Sequence, residues 1–162
     1  YKKKGYICME TEIQRIVDFI REYMQEDERV VIPVSGGIDS DVVARLCCRA
    51  LGKDKIKLFI VTDENIERKF LINAKNLAKD LEVSLTEIPL GKRNIELIKI
   101  LEEAEKDKIF NSKSLLDSNK IKCSMRSTII SCYQDKGYII AGCTNRTEYE
   151  LGFFVTFRRQ SS

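Results

Sequence analysis

No histidine occurs in the sequence, so neither a Ser-His nor a Cys-His nucleophilic pair can be assembled within this chain. Six cysteines are present, at positions 8, 47, 48, 123, 132 and 143, yet no two of them stand in a C-x-x-C pair. Without that spacing and without histidine, the pattern argues against a zinc site of ordinary design. Reduced thiols in a cytoplasmic compartment are the plain expectation. No apolar run approaches the roughly 20 residues that a membrane helix requires. The stretch 1–9 has lysines but lacks the apolar segment of a signal peptide. Neither sign of charge dominates: 28 Lys and Arg against 25 Asp and Glu leave a net +3, which gives no electrostatic case for nucleic acid. Chemistry on this chain must therefore run on hydroxyls, carboxylates, amines, backbone dipoles and a metal.

What is present is a length of one domain, sufficient to bury a core, and one unusual loop. The apolar run Val30-Val31-Ile32-Pro33-Val34 breaks into Ser35-Gly36-Gly37-Ile38-Asp39-Ser40. Directly after it, Val42, Val43, Leu46, Cys47, Ala50 and Leu51 recur at the spacing of one helical face, predicting a helix over 41–51. The loop thus lies between a buried strand and a helix N-terminus, where backbone N–H groups lack partners and the dipole end is positive. Two adjacent glycines let the backbone close around an anion, and Ser35 and Ser40 add hydroxyl donors. Asp39, Ser40 and Asp41 could instead serve only as helix caps, but capping does not call for two glycines beside two hydroxyls. The loop is not a Walker A loop, because no lysine stands between Arg29 and Lys53. Nor is it a dinucleotide fingerprint, since the glycines are adjacent.

Strand and helix signals alternate along the rest of the chain. A capping box at Thr11 and Gln14 and an apolar face predict a helix over 10–24. Strands are expected at 30–34, 57–61, 83–88 and 138–141, with helices over 66–81, 93–109 and 124–135 and a polar loop at 111–119. The charged run 102–108 reads as a solvated helix face. Alternation of this kind argues for α/β architecture: a doubly wound parallel sheet with helices on both faces. Ligands in such sheets bind beyond the carboxyl ends of the strands. Both the Ser-Gly-Gly loop and the segment 142–148 fall at such ends.

The loop resembles the pyrophosphate-binding loop (PP-loop) of the ATP pyrophosphatases. A second segment, Gly142-Cys143-Thr144-Asn145-Arg146-Thr147-Glu148 leading into Gly152-Phe153-Phe154, follows the last strand. Together, in this order, the two motifs resemble those of the ammonia-dependent NAD synthetases. That resemblance covers 9–157 of a single domain 1–162, with 1–8 and 158–162 peripheral, and implies an adenine nucleotide alpha-hydrolase-like, Rossmann-like fold. It implies a ligase that uses ATP and Mg²⁺ to adenylate the carboxylate of deamido-NAD, and ammonia to displace AMP and give NAD. It implies an ATP cradle of Ser35, Gly36, Gly37, Asp39 and Ser40, joined by Arg126, Cys143 and Thr144. Magnesium is expected on Asp39 and Glu148, and catalysis on Asp39, Arg126 and Glu148. The carboxylate of Asp39 beside a triphosphate suits an intervening Mg²⁺. The resemblance also implies a homodimer.

The sequence departs from the family pattern at Ser124, where an arginine is usual, at Cys143, where threonine is usual, and after Phe154. With Met9 as the first methionine, these departures lead to the expectation of a fragment of a longer synthetase. Two other readings follow: the same ATP chemistry on a different acceptor, or a truncated, inactive nucleotide-binding module. Tyr149, Phe153 and Phe154 could stack on a nucleotide, though aromatics after a last strand more often fill a core. Adjacent helical positions diverge by roughly 100°, so Cys47 belongs to the apolar face and Cys48 points elsewhere. The segment 62–65 lies where adenine and ribose would sit, or caps the next helix.

Overall fold

A computed structural model of the chain describes residues 8–64, 66–144, 147 and 150. Helix α1 (Met9–Tyr23) leads into strand β1 (Arg29–Pro33), helix α2 (Ile38–Leu51) and strand β2 (Ile56–Thr62). Helix α3 (Arg68–Leu81), strand β3 (Leu85–Pro89), helices α4 (Arg93–Ala104) and α5 (Leu115–Gln134) and strand β4 (Tyr138–Ile140) follow. All strand pairs are parallel, in the order β3-β2-β1-β4. From β1 the chain steps to β2 and β3 in one direction, then returns to set β4 on the other side of β1. Parallel crossovers are right-handed, so α2 and α3 cover one face of the sheet and α4 and α5 the other. The expected doubly wound parallel sheet is what forms.

The side chains explain the layers. Val30, Ile32, Val34, Ile56, Leu58 and Ile60 alternate onto one face and bury against Ala44 and Cys47 of α2 and Ala74, Leu77 and Ala78 of α3. On the opposite face Phe59 stacks on Tyr133 of α5 at 5.0 Å between ring centroids, and Tyr133 meets Tyr138 of β4 edge-on at 5.8 Å. Aromatic pairs at such distances add to the burial of their area, which matters here because α5 has no fully buried residue of its own.

Four sequence expectations need correction. Helix α2 begins at Ile38, not at 41, so Asp39 and Ser40 lie in its first turn; its buried stripe is Ser40, Ala44 and Cys47, while Val42 is exposed. Helix α1 begins at Met9, which puts Thr11 inside the helix, where it cannot cap; Gln14 donates instead to Asp18. Helix α4 stops at Ala104, and the backbone beyond it turns through Lys108 at φ +54° so that the Ser112 N–H reaches the Glu102 carboxylate at 3.1 Å. Hydrogen bonding from the Ser112 side chain, and then from its backbone N–H, lowers the Glu102 carboxyl from its ordinary value. Much of the loop expected at 111–119 is the start of α5. Ser114 caps that helix by accepting from the Asp117 N–H, and the buried Asn94 of α4 donates to the Ser118 hydroxyl at 2.7 Å. The turn opens with Leu115 and Leu116, but both are exposed and the four residues after them are polar, so no apolar period announces it.

Candidate functional site

The strand order reverses between β1 and β4, and sheets of this kind bind ligands in the crevice beyond the carboxyl ends at that point. The Ser-Gly-Gly loop stands on one side of that point. Gly36 has φ +76°, a conformation that glycine adopts without strain. A Cβ at this position would lie 2.1 Å from the backbone oxygen of Phe70 in α3. Glycine is therefore required twice over, by torsion and by close approach. On the same side, Asn73 of α3 donates to the Gly36 carbonyl at 3.0 Å.

The two serines close the loop. Ser40 is 2% exposed; its hydroxyl donates to the Gly37 carbonyl at 3.0 Å and accepts from the Ser35 N–H at 3.2 Å. The Gly37 N–H donates in turn to the Ser35 hydroxyl at 3.2 Å. Among the described residues no side chain caps α2, whose N-cap is Gly37, and a helix start of this kind is the positive end of the dipole, suited to an anion. Asp39 projects from that first turn as an exposed side chain.

A pocket of about 330 Å³ adjoins the loop above β1 and β2, walled by Val34, Phe59, Ile66, Phe70 and Ile130, with Ser35 and Arg126 at its polar edge. Its size and apolar walls suit a planar ring system, with the cradle at one end for phosphate. Asp63, just past β2, does not cap α3, whose N-cap is Glu67. Instead it pairs with Lys122 of α5 at 2.9 Å and lies 3.9 Å from Arg126. The usual signals of sequence period and capping do not reveal this pair, because its partners are 59 residues apart in sequence (122 minus 63).

Across the crevice, Cys143 turns its thiol toward the Pro33 carbonyl at 3.8 Å and packs against the core, joining the ends of β4 and β1. Thr144 follows as an exposed side chain. The structure thus gathers Ser35, Gly36, Gly37, Asp39, Ser40, Arg126, Cys143 and Thr144 around the carboxyl ends of the central strands. Glu148, the second carboxylate expected on magnesium, lies outside the described residues, as do Tyr149, Phe153 and Phe154. Cys47 is buried and Cys48 only partly so; burial, with the neighbouring Cys143 and Cys48, pushes the Cys47 thiol up to about 11. Sequence pattern does not signal that Phe70 and Asn73 meet the loop, since they lie 30 and 33 residues beyond Ser40.

A parallel α/β sheet with a Ser-Gly-Gly loop at the carboxyl end of its first strand defines a doubly wound protein of the PP-loop fold. Residues 12–158 match the family described as NAD synthase. An NH(3)-dependent NAD(+) synthetase of Methanocaldococcus jannaschii is 33% identical over 150 residues, spanning 90% of this chain and 55% of that protein. The one from Pyrococcus furiosus is 34% identical over 144 residues, spanning 88% and 51%. The fold is shared with the NH3-dependent NAD synthetase of Campylobacter jejuni in complex with the nitrate ion, with a TM-score of 0.74 at 23% identity over 91% of this chain and 62% of that one. It is shared also with a glutamine-dependent NAD+ synthetase of Acinetobacter baumannii in complex with ADP, with a TM-score of 0.80 at 18% identity over 95% and 29%. The chain belongs to the NAD synthase family. It spans about half the length of the curated relatives it matches.

Proposed function

We propose that this chain binds ATP and takes part in ammonia-dependent synthesis of NAD from deamido-NAD. The observation that carries the reading is the Gly36 loop, pinned by α3 at the carboxyl end of β1 in a chain of this family. In the reaction, a carboxylate oxygen of deamido-NAD attacks the α-phosphorus of ATP, the bond to the β-phosphate oxygen breaks, and pyrophosphate leaves. Ammonia then attacks the acyl carbon, AMP departs, and the nitrogen loses a proton to give the amide. No step needs a histidine.

The residues divide this work by position. The amides of 38–40 and the Ser35 hydroxyl bind the departing pyrophosphate, where fixed dipoles stabilise developing charge best. The apolar pocket beside Phe70 takes the adenine, and Arg126 at its edge meets the α-phosphate. Among the described residues no three Cys, Asp or Glu side chains gather as a closed metal cage. The donor set fits Mg²⁺, which is commonly held by one or two carboxylates together with phosphate oxygens and water. Asp39 would hold it, with Glu148 as the second carboxylate. When bound, magnesium neutralises charge on the phosphates. Residues 1–162 act as one domain in this scheme, as a homodimer in the cytoplasm.

Incubation with Mg-ATP, ammonium and deamido-NAD, with AMP and NAD resolved by chromatography, tests the reading. AMP and NAD in equal amounts support it. AMP and pyrophosphate with a different acceptor would replace the substrate, and ATP binding without AMP release would leave a nucleotide-binding module.

A further inference from the structure

An anion loop works only if its N–H groups face inward and its carbonyls face out. In this protein the outward turn of the loop is held from α3. The Gly36 carbonyl accepts from the Asn73 side-chain amide at 3.0 Å, and the Gly36 Cα presses against the Phe70 backbone so closely that a Cβ would overlap its oxygen at 2.1 Å. These are two separate contacts, one polar and one steric, made by consecutive turns of the same helix. Phe70 also lines the adjoining pocket, so one helix touches both the loop and the pocket.

From this geometry we propose that Asn73 is a positioning residue for phosphate, holding the Gly36 carbonyl out of the anion loop so that the amides at the start of α2, 38–40, face the ligand. The proposal rests on the nucleotide reading above for its ligand, but the contact itself does not. Asn73 is an exposed residue within α3 and not part of the buried stripe of Ala74, Leu77 and Ala78. Its replacement by alanine, the best helix former, leaves the helix and the core intact. One hydrogen bond of this kind changes an equilibrium by up to roughly tenfold.

The experiment compares the wild type with Asn73→Ala in two ways: amide hydrogen exchange across 36–40 without ligand, and calorimetric titration with magnesium pyrophosphate and, separately, with adenosine. The expected result is exchange at 37–40 roughly tenfold faster, pyrophosphate affinity roughly tenfold weaker, and adenosine affinity and melting temperature unchanged. Unchanged exchange and unchanged pyrophosphate affinity would overturn the proposal. So would an equal loss of adenosine affinity, which would make Asn73 a general support of the fold. Faster exchange in a protein whose wild type binds no pyrophosphate would keep Asn73 as the holder of the loop and overturn the nucleotide reading instead.

Discussion

Asp63 at the end of β2 and Lys122 on α5 form an ion pair at 2.9 Å, with side chains only 11% and 17% exposed. The pair ties one helical layer to the rim of the sheet beside the pocket, and both partners line that rim together with Arg126. Removing one charge strands the other in a poorly solvated position, whereas removing both does not. Asp63→Asn is therefore expected to lower stability by about 2–3 kcal/mol, and the double change Asp63→Asn with Lys122→Met to recover most of it. Urea unfolding of the three proteins measures this. Equal stability of the single and double variants would show that the pair does not couple.

Gly36 and Gly137 both have positive φ, +76° and +82°, but only Gly36 is crowded. Gly137→Ala meets nothing within 4 Å and is expected to cost roughly 1 kcal/mol from torsion alone. Gly36→Ala adds overlap with the Phe70 backbone and is expected to cost roughly 3 kcal/mol. Denaturant unfolding ranks them, and similar costs would mean that α3 yields to the methyl group.

Cys47 gives the protein a pH dependence at the alkaline end. Its thiol rises from 9.0 to about 11, mainly through burial. Above pH 9 the unfolded chain releases this proton while the folded chain keeps it, so stability falls from pH 9 up to about pH 11. The loss attributable to this group is on the order of 2 kcal/mol. Cys47→Ala should remove that part of the slope in stability measured against pH. A slope identical to that of the wild type would assign it elsewhere.

The same burial predicts the order of thiol modification. Cys8 and Cys132 are exposed and Cys47 is buried, and the thiolate is the reacting form. With a maleimide at neutral pH, mass spectrometry of peptides should find Cys8 and Cys132 labelled first and Cys47 labelled only after denaturation. Early labelling of Cys47 would contradict the packing of α2 on the sheet.

If the proposed chemistry holds, Asp39→Ala should lower AMP formation by on the order of 100-fold while leaving adenosine binding unchanged. Rapid quench assays with Mg-ATP and deamido-NAD read the first, and calorimetry the second. AMP formation unaltered by the substitution would remove Asp39 from the magnesium site.

Much of this protein was legible before its fold. The β1 run, the paired glycines after it and the amphipathic stripe of α3 are local patterns, set by period and by torsional preference. They suffice for a parallel α/β sheet with an anion loop at the end of a strand, and they led to the resemblance carried by the segments 35–40 and 142–154. Where local signals conflicted or were silent, the reading erred: Thr11 was not a cap, and the first turn of α5, whose two leucines are exposed, carried no apolar period. That turn is stabilised by the Ser114 cap and by Asn94, the latter a contact from another helix that no local window contains.

Local pattern also determined that glycine stands at 36 and that a buried strand precedes it. Only the tertiary structure decided why that glycine admits no other residue, because the obstructing atom belongs to Phe70. The same holds for Asp63, which has cap-like chemistry in the sequence but is claimed by Lys122 once α5 lies across the sheet. Local propensity acts over one or two turns, whereas close approach and charge pairing depend on which surfaces the crossovers bring together.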